Sequence, residues 1–333
     1  MKPSLSKPGF PKWRTRQWAC RVVVGMMLSG AVLILTSLPS LAGVTVAANS
    51  DKCTDLGTLT PGEIRVAILS FMPIIGQEPD GTLTGLDGDN LKILADKLGC
   101  KINASVTDSA GALAAVQAHR VDATIGSWGW TPERAKVGLF TDPLYYQPVV
   151  IAQRKGATIS RVAQLTGHSL CTLTGFVFIP AMHQVPQATV STYPTIAAML
   201  LDIEYSRCDV GFGNPLVIPY AEAHNPDLKD LSYEYLAQPT DDELKVAPLF
   251  GGVAQGFSDA IYLPLDAEKL ENALSPLIDE MVVSGEEAKL LRKWGVKEPA
   301  VWLTPRGRLA TERIGIDRPA GWQTPKCTGS ACE

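Results

Sequence analysis

The stretch DATIGSWGWTPERAKVGLFTDPLYY, residues 122–146, holds the residues best suited to chemistry in this chain of 333. Thr131 is a good N-cap and Pro132 suits a first helical position, so a helix is expected to begin there. The backbone N–H groups at a helix start favour an anion. Arg134 adds a planar fork of donors that matches a carboxylate, a charge-assisted contact worth roughly 1.5–3 kcal/mol. On these residues alone, a solvated arginine on a helix face is the commoner arrangement. Two tryptophans, Trp128 and Trp130, stand just ahead of the turn.

Other chemistries find less support. The sequence has no G-x-S-x-G and no Cys-His pairing suited to nucleophilic attack, so a hydrolase is not expected. His119, His168, His183 and His224 are scattered over expected helices, strand edges and loops, and read as surface residues. No C-x-x-C or His-x-x-x-His occurs, and neither a metal site nor a cofactor is expected.

The N-terminus sets the compartment. Six basic residues and no acid within residues 1–21 precede the apolar run VVVGMMLSGAVLIL and then TSLPSLAGVTVAA. A basic segment, a short apolar run and small residues before a cut read as a signal peptide, residues 1–42, with a second candidate cleavage after Ala48. The run is shorter than the roughly 18 apolar residues of a membrane span. A periplasmic or secreted location follows. Removing those six basic residues from 30 leaves 24 against 34 acids, a net charge of about −10. An acidic protein is a poor partner for nucleic acid or an anionic membrane surface. Six cysteines remain: Cys53, Cys100, Cys171, Cys208, Cys327 and Cys332. An even number in an oxidising compartment reads as disulfides.

The elements that must hold the arginine alternate in type. GEIRVAIL, CKINASV and VDATIG read as strands, with the helices LDGDNLKILADKLG and SAGALAAVQAHR between them. That order predicts a parallel α/β sheet. The second half repeats the theme with HSLCTLTG, TYPTIAAMLLDIEYSR and CDVGFGN, followed by DAIYLP as a strand. Leu270, Leu274, Leu277, Ile278 and Met281 then mark one face of a long helix, and EEAKLLRKWG a second. Past residue 300 the chain turns rich in Pro, Gly and Arg and is expected to be irregular. Two α/β segments suggest two lobes with a cleft between them, and ligands of open α/β sheets sit at the carboxyl ends of strands.

Four segments together, GTLTGLDGDNLKILADKLG, ALAAVQAHRVDATIG, WTPERAKVGLFTDPLYY and LPLDAEKLENALSPLIDEMVVSGEEAKLLRKWG, resemble the extracellular solute-binding proteins of polar amino acid ABC importers. The likeness runs over residues 63–295. It implies an α/β fold of the type II periplasmic binding protein class, two lobes joined by two hinge strands, closing on a small solute for a membrane permease. Lobe 1 would comprise residues 51–148 plus 256–300, lobe 2 residues 149–255, and residues 301–333 an irregular tail. A monomer is expected.

By the same resemblance Arg134 would hold a carboxylate with help from the backbone of Ser127, Trp128 and Gly129. Trp128 would offer a flat wall or a π-face for a cationic group, Phe71 an aromatic face, and Trp130 a core residue under the helix. The second lobe departs from the pattern. Gly175, Phe176 and Val177 stand where hydroxyl residues are usual, and Asn214 where an aspartate receives the ligand's ammonium. An ammonium opposite a neutral amide is poorly compensated. Either Asp209, Glu222 or Asp241 supplies the charge, or the ligand is a carboxylate with an apolar or aromatic body rather than an ordinary amino acid. A dehydratase-like enzyme on the same scaffold and a ligand-sensing receptor are the alternatives. The architecture suits the pairs Cys171 with Cys208 and Cys53 with Cys100, leaving Cys327 with Cys332 as a local staple.

Overall fold

The apolar runs assemble into two five-stranded sheets. A computed structural model describes residues 51–328 and Cys332; the expected signal peptide lies outside the described residues. In the first sheet the strands run in the order Lys101–Val106, Glu63–Ile68, Ala123–Ile125, Tyr262–Leu263, Leu139–Phe140. In the second the order is Thr189–Tyr193, Ser169–Leu173, Val210–Gly213, Val150–Arg154, Leu231–Tyr235.

Three strands of each sheet are parallel, as the alternation of strands and helices predicts. The others are antiparallel to their neighbours, so each sheet is mixed. The change comes where the chain has crossed between the halves. Val150–Arg154 and Tyr262–Leu263 both follow such a crossing and enter their sheets in the reverse direction. Two short strands, Tyr145–Gln147 and Phe257–Asp259, pair antiparallel beside those crossings. The architecture is that of a type II periplasmic binding protein, with these two as hinge strands.

The helices cover the first sheet for the reasons the sequence suggests. Leu86–Leu98 buries Leu91, Leu94, Ala95 and Leu98 and stops at Gly99, whose φ of 70° is costly for any residue with a Cβ. Glu268–Ser284 buries Leu270, Leu274, Ile278 and Met281, with Leu277 half-buried beside them. The core built on the first sheet continues into the second half through Leu173 and Val217. The halves are therefore closed on each other. The helix Val217–His224 and the strands Thr189–Tyr193 and Leu231–Tyr235 are not evident in the sequence.

Disulfides join Cys53 to Cys100, Cys171 to Cys208 and Cys327 to Cys332. The first two close loops of 47 and 37 residues, each worth roughly 4 kcal/mol of lost chain entropy in the unfolded state. The C-terminal segment is irregular in backbone yet firmly anchored. Arg313, 1% exposed, donates to the carbonyls of Thr141 (2.7 Å) and Phe140 (3.0 Å) and pairs with Asp317. Arg318 reaches Asp142 and Glu271. Arg308 donates to the carbonyls of Gly252 and Gly256, next to the second hinge strand, and Tyr146 of the first donates to Thr324. Among the described residues no helix is long and apolar enough to cross a membrane.

Candidate functional site

The Trp-Thr-Pro turn folds as its residues dictate. Thr131 Oγ1 accepts the N–H of Arg134 at 3.2 Å, and Pro132 opens the helix Pro132–Ala135. This helix is a single turn, so its dipole adds little. The guanidinium is what the site rests on.

Arg134 points into the seam between the halves. Nη1 donates to the Gly129 carbonyl at 2.7 Å, and Nη2 crosses the seam to the Gly175 carbonyl at 3.1 Å. The guanidinium lies over the Trp128 ring, 5.2 Å from its centroid. Trp128 is thus a π-face, but for the chain's own cation. Burial lowers the Arg134 pKa to about 10, against the opposing pull of Tyr262 and Asp259, which leaves it charged at neutral pH.

Ser127, Trp128, Gly129, Arg134 and Phe176 line one cavity between the halves. It offers about 20 Å³ to the centre of a water-sized sphere, room for roughly one water. Aromatic rings fill the rest. Phe71 meets Phe176 edge to face at 5.9 Å across the seam, and Phe178 bridges Phe176 and Phe257 at 5.8 and 5.6 Å. A wider groove of about 1030 Å³ lies on another part of the seam, between Pro215, Tyr220, Tyr235 and Trp294. The small cavity is the better candidate, because the half-buried Arg134 and the buried Asp259 converge on it.

Three expectations change in detail. Ser127, at φ 60°, has its N–H held by Asp87 Oδ2 at 2.8 Å, so that donor is already engaged. The Asn214 carbonyl, expected to face the ligand, accepts from the N–H groups of Leu216 (2.7 Å) and Val217 (3.3 Å). The start of Val217–His224 has no other side-chain cap, and this need claims the amide. Its Nδ2 donates to Gln147 Oε1 at 2.5 Å. Asp209 accepts from Ser169, and neither it, Glu222 nor Asp241 lines the cavity. Trp130 is a core residue, buried, with its indole N–H on Asp317 of the tail at 3.0 Å.

The acid that does line the cavity is Asp259, at the end of the second hinge strand. It is 2% exposed. Ser127 Oγ approaches its Oδ1 at 3.5 Å, and Oδ2 has no hydrogen-bond partner among the described residues. Burial and the charge of Asp87 push its carboxyl well above the usual range, against Ser127 and Arg134. Gln147, on the first hinge strand, lines the same cavity and accepts from Ser127 Oγ at 2.5 Å. The sequence does carry a signal for Asp259: a lone acid between Phe257 and Ile261 in the apolar run GFSDAIYLP. Gln147 carries none.

Most of the chain is similar to known proteins. The family profile of the bacterial extracellular solute-binding proteins, family 3, matches residues 64–297. A putative ABC transporter arginine-binding protein 2 of Escherichia coli (strain K12) is 26% identical over 232 residues, covering 68% of this chain and 87% of that protein. The crystal structure of the substrate binding protein of an amino acid ABC transporter superposes with a TM-score of 0.60 at 23% identity, over 70% of this chain and 99% of that one. An ancestral amino acid-binding protein, a precursor of cyclohexadienyl dehydratase, gives 0.58 at 22% identity over 70% and 95%. At these identities the solved structures speak for the fold alone.

Proposed function

The chain belongs to the bacterial extracellular solute-binding proteins, family 3, and from that premise we propose that it captures a small carboxylate-bearing solute, an amino acid or a close analogue, for an ABC permease in the membrane. One observation carries the reading: a charged guanidinium, fixed at a helix start, reaches across the seam and bonds to a carbonyl of the other half. A ligand carboxylate offers the same fork a better acceptor than the Gly175 carbonyl. The closed cavity is far too small for an amino acid, so binding requires the halves to part and close again around the solute. The energy of closure then comes from contacts the ligand makes with both halves. A monomer outside the cytoplasmic membrane, with no cofactor, fits this role.

A dehydratase-like activity is the second reading, favoured by Asp259. Such chemistry needs a carboxyl group in the cleft to move a proton, and one is there. The binding role remains the stronger, because the matching family is one of solute-binding proteins. A thermal-shift screen of amino acids, aromatic acids and amines separates the readings, since a bound solute raises stability by mass action. A stable shift with unchanged solute supports capture. Conversion of a cyclohexadienyl carboxylic acid to an aromatic product supports the enzyme, and no shift with any carboxylate removes the proposal.

A further inference from the structure

Building on that reading, we propose that the solute is a zwitterion with a neutral, apolar side chain, and that its ammonium is received by Asp259 on the second hinge strand rather than by an acid of the second half. Position 214 contributes no charge, and its carbonyl is engaged in capping Val217–His224. Gln147 Oε1 already takes donors from Ser127 and Asn214. Asp259 is left with a buried carboxyl oxygen, unpartnered among the described residues, in the wall that Arg134 also forms.

An ionised carboxylate in that setting is costly without a cation, so the acid stays protonated until one reaches it. Among the described residues no lysine lines the cavity, and Arg134 directs its Nη groups at Gly129 and Gly175. The two charges therefore suit opposite ends of one small zwitterion: the carboxylate on Arg134, the ammonium on Asp259 with Ser127 Oγ beside it. Apart from Gln147 the rest of the wall, including Leu69, Val177, Phe178 and Phe257, is apolar, and among the described residues it holds no second acid. A solute with a cationic side chain would bury a charge without a partner.

Isothermal titration of the purified, oxidised mature protein tests this with L-phenylalanine, L-leucine, 3-phenylpropionate and L-arginine, on the wild type and on Asp259→Asn. The zwitterions L-phenylalanine or L-leucine are expected to bind. 3-Phenylpropionate, which lacks only the ammonium, is expected to bind at least about 100-fold more weakly than L-phenylalanine, as sites built for a polar group reject analogues without it. L-Arginine should bind more weakly than either neutral amino acid. In Asp259→Asn the preference of L-phenylalanine over 3-phenylpropionate should shrink to within a few-fold. Equal wild-type affinity for the amino acid and its des-amino analogue overturns the inference while leaving carboxylate capture intact. So does tighter binding of L-arginine, or a preference that survives in a folded Asp259→Asn. If none of the carboxylates binds the wild type, carboxylate capture itself fails and this inference goes with it. The wild-type comparison decides the matter even if the variant does not fold.

Discussion

Arg134 and Gly175 are joined across the seam by a hydrogen bond of 3.1 Å, from a guanidinium in the first half to a backbone carbonyl in the second. The same side chain holds Gly129 in its own half. A ligand that displaces the Gly175 carbonyl exchanges a neutral acceptor for a charged one, which stabilises the closed form with solute over the closed form without it.

Arg134→Ala should therefore abolish the carboxylate-dependent thermal shift while leaving the fold intact. Arg134→Lys keeps the charge but loses the planar fork and should bind more than about tenfold more weakly than the wild type. Titration calorimetry with any bound carboxylate measures both. A shift unchanged in the alanine variant removes Arg134 from the site.

Stability should fall as pH rises from about 4.5 to about 8, in part through Glu287. This residue is fully buried, receives Asn90 Nδ2 on Oε1 at 3.2 Å, and is pushed from 4.5 to about 8 by burial, with Asn90 opposing and the charges of Asp87 and Glu286 adding to it. Its Oε2 and the Asn90 Oδ1 are both unpartnered among the described residues. A protonated carboxyl is a donor where a carboxylate only accepts, and the unpartnered Asn90 Oδ1 belongs to the side chain already bonded to Oε1, so the neutral acid suits the pair. Below the unfolded value near 4.5 the stabilisation is fully present. It is lost as pH rises through the folded value, at about 1.4 kcal/mol per unit and so on the order of 5 kcal/mol in all. Glu287→Gln, whose amide makes the same donation at every pH, should flatten this part of the curve. Urea unfolding at pH 5 and pH 8 checks it, and an equal slope in both proteins counts against it.

The first half was far more legible in the sequence than the cavity. GEIRVAIL, LDGDNLKILADKLG and CKINASV announce their elements through apolar pattern and the Gly99 stop, whereas the cysteines allow many pairings by sequence and only the resembled architecture suggests the three that form. Arg134, Trp128, Ser127, Gly129 and Phe176 do meet at one cavity. What sequence could not show is which polar groups local structure claims first. Asn214 is taken by a helix start that was not evident, and the N–H of Ser127 by Asp87 from forty positions away. Asp259 stands out as a lone acid, but its place in the cavity does not, because DAIYLP reads as one strand whereas the chain leaves the hinge pairing at Asp259 and enters the first sheet at Tyr262.

Gly129→Ala should weaken both the fold and the site. A Cβ there would stand 3.0 Å from Phe257 Cβ and 3.2 Å from its Cγ, where the turn bridges to Asp259. The ring is wedged against Phe178 and cannot swing clear without opening the aromatic seal. Overpacking of this kind costs roughly 1–3 kcal/mol. Chemical denaturation gives the stability change, and titration of the same sample gives the affinity. A variant as stable as the wild type would mean the ring moves freely.

The last prediction concerns the tail, which lies beyond the matched family region yet fixes the turn that carries Arg134. Trp130, four residues before that arginine, donates its indole N–H to Asp317, and Asp317 in turn holds the buried Arg313. Arg313→Met leaves the carbonyls of Phe140 and Thr141 without their donor and Asp317 without its cation. Removing one partner of a buried pair costs about 3–5 kcal/mol. Asp317→Ala leaves the opposite charge stranded and frees the indole, so it should destabilise comparably. Because both variants break the same pair, the double variant should cost clearly less than the sum of the two. Breaking the exposed pair of Lys245 with Asp242 should produce no measurable change. Thermal unfolding of the three tail variants measures the coupling. Strict additivity would mean that Arg313 and Asp317 act separately, and that the tail does not brace the turn through them.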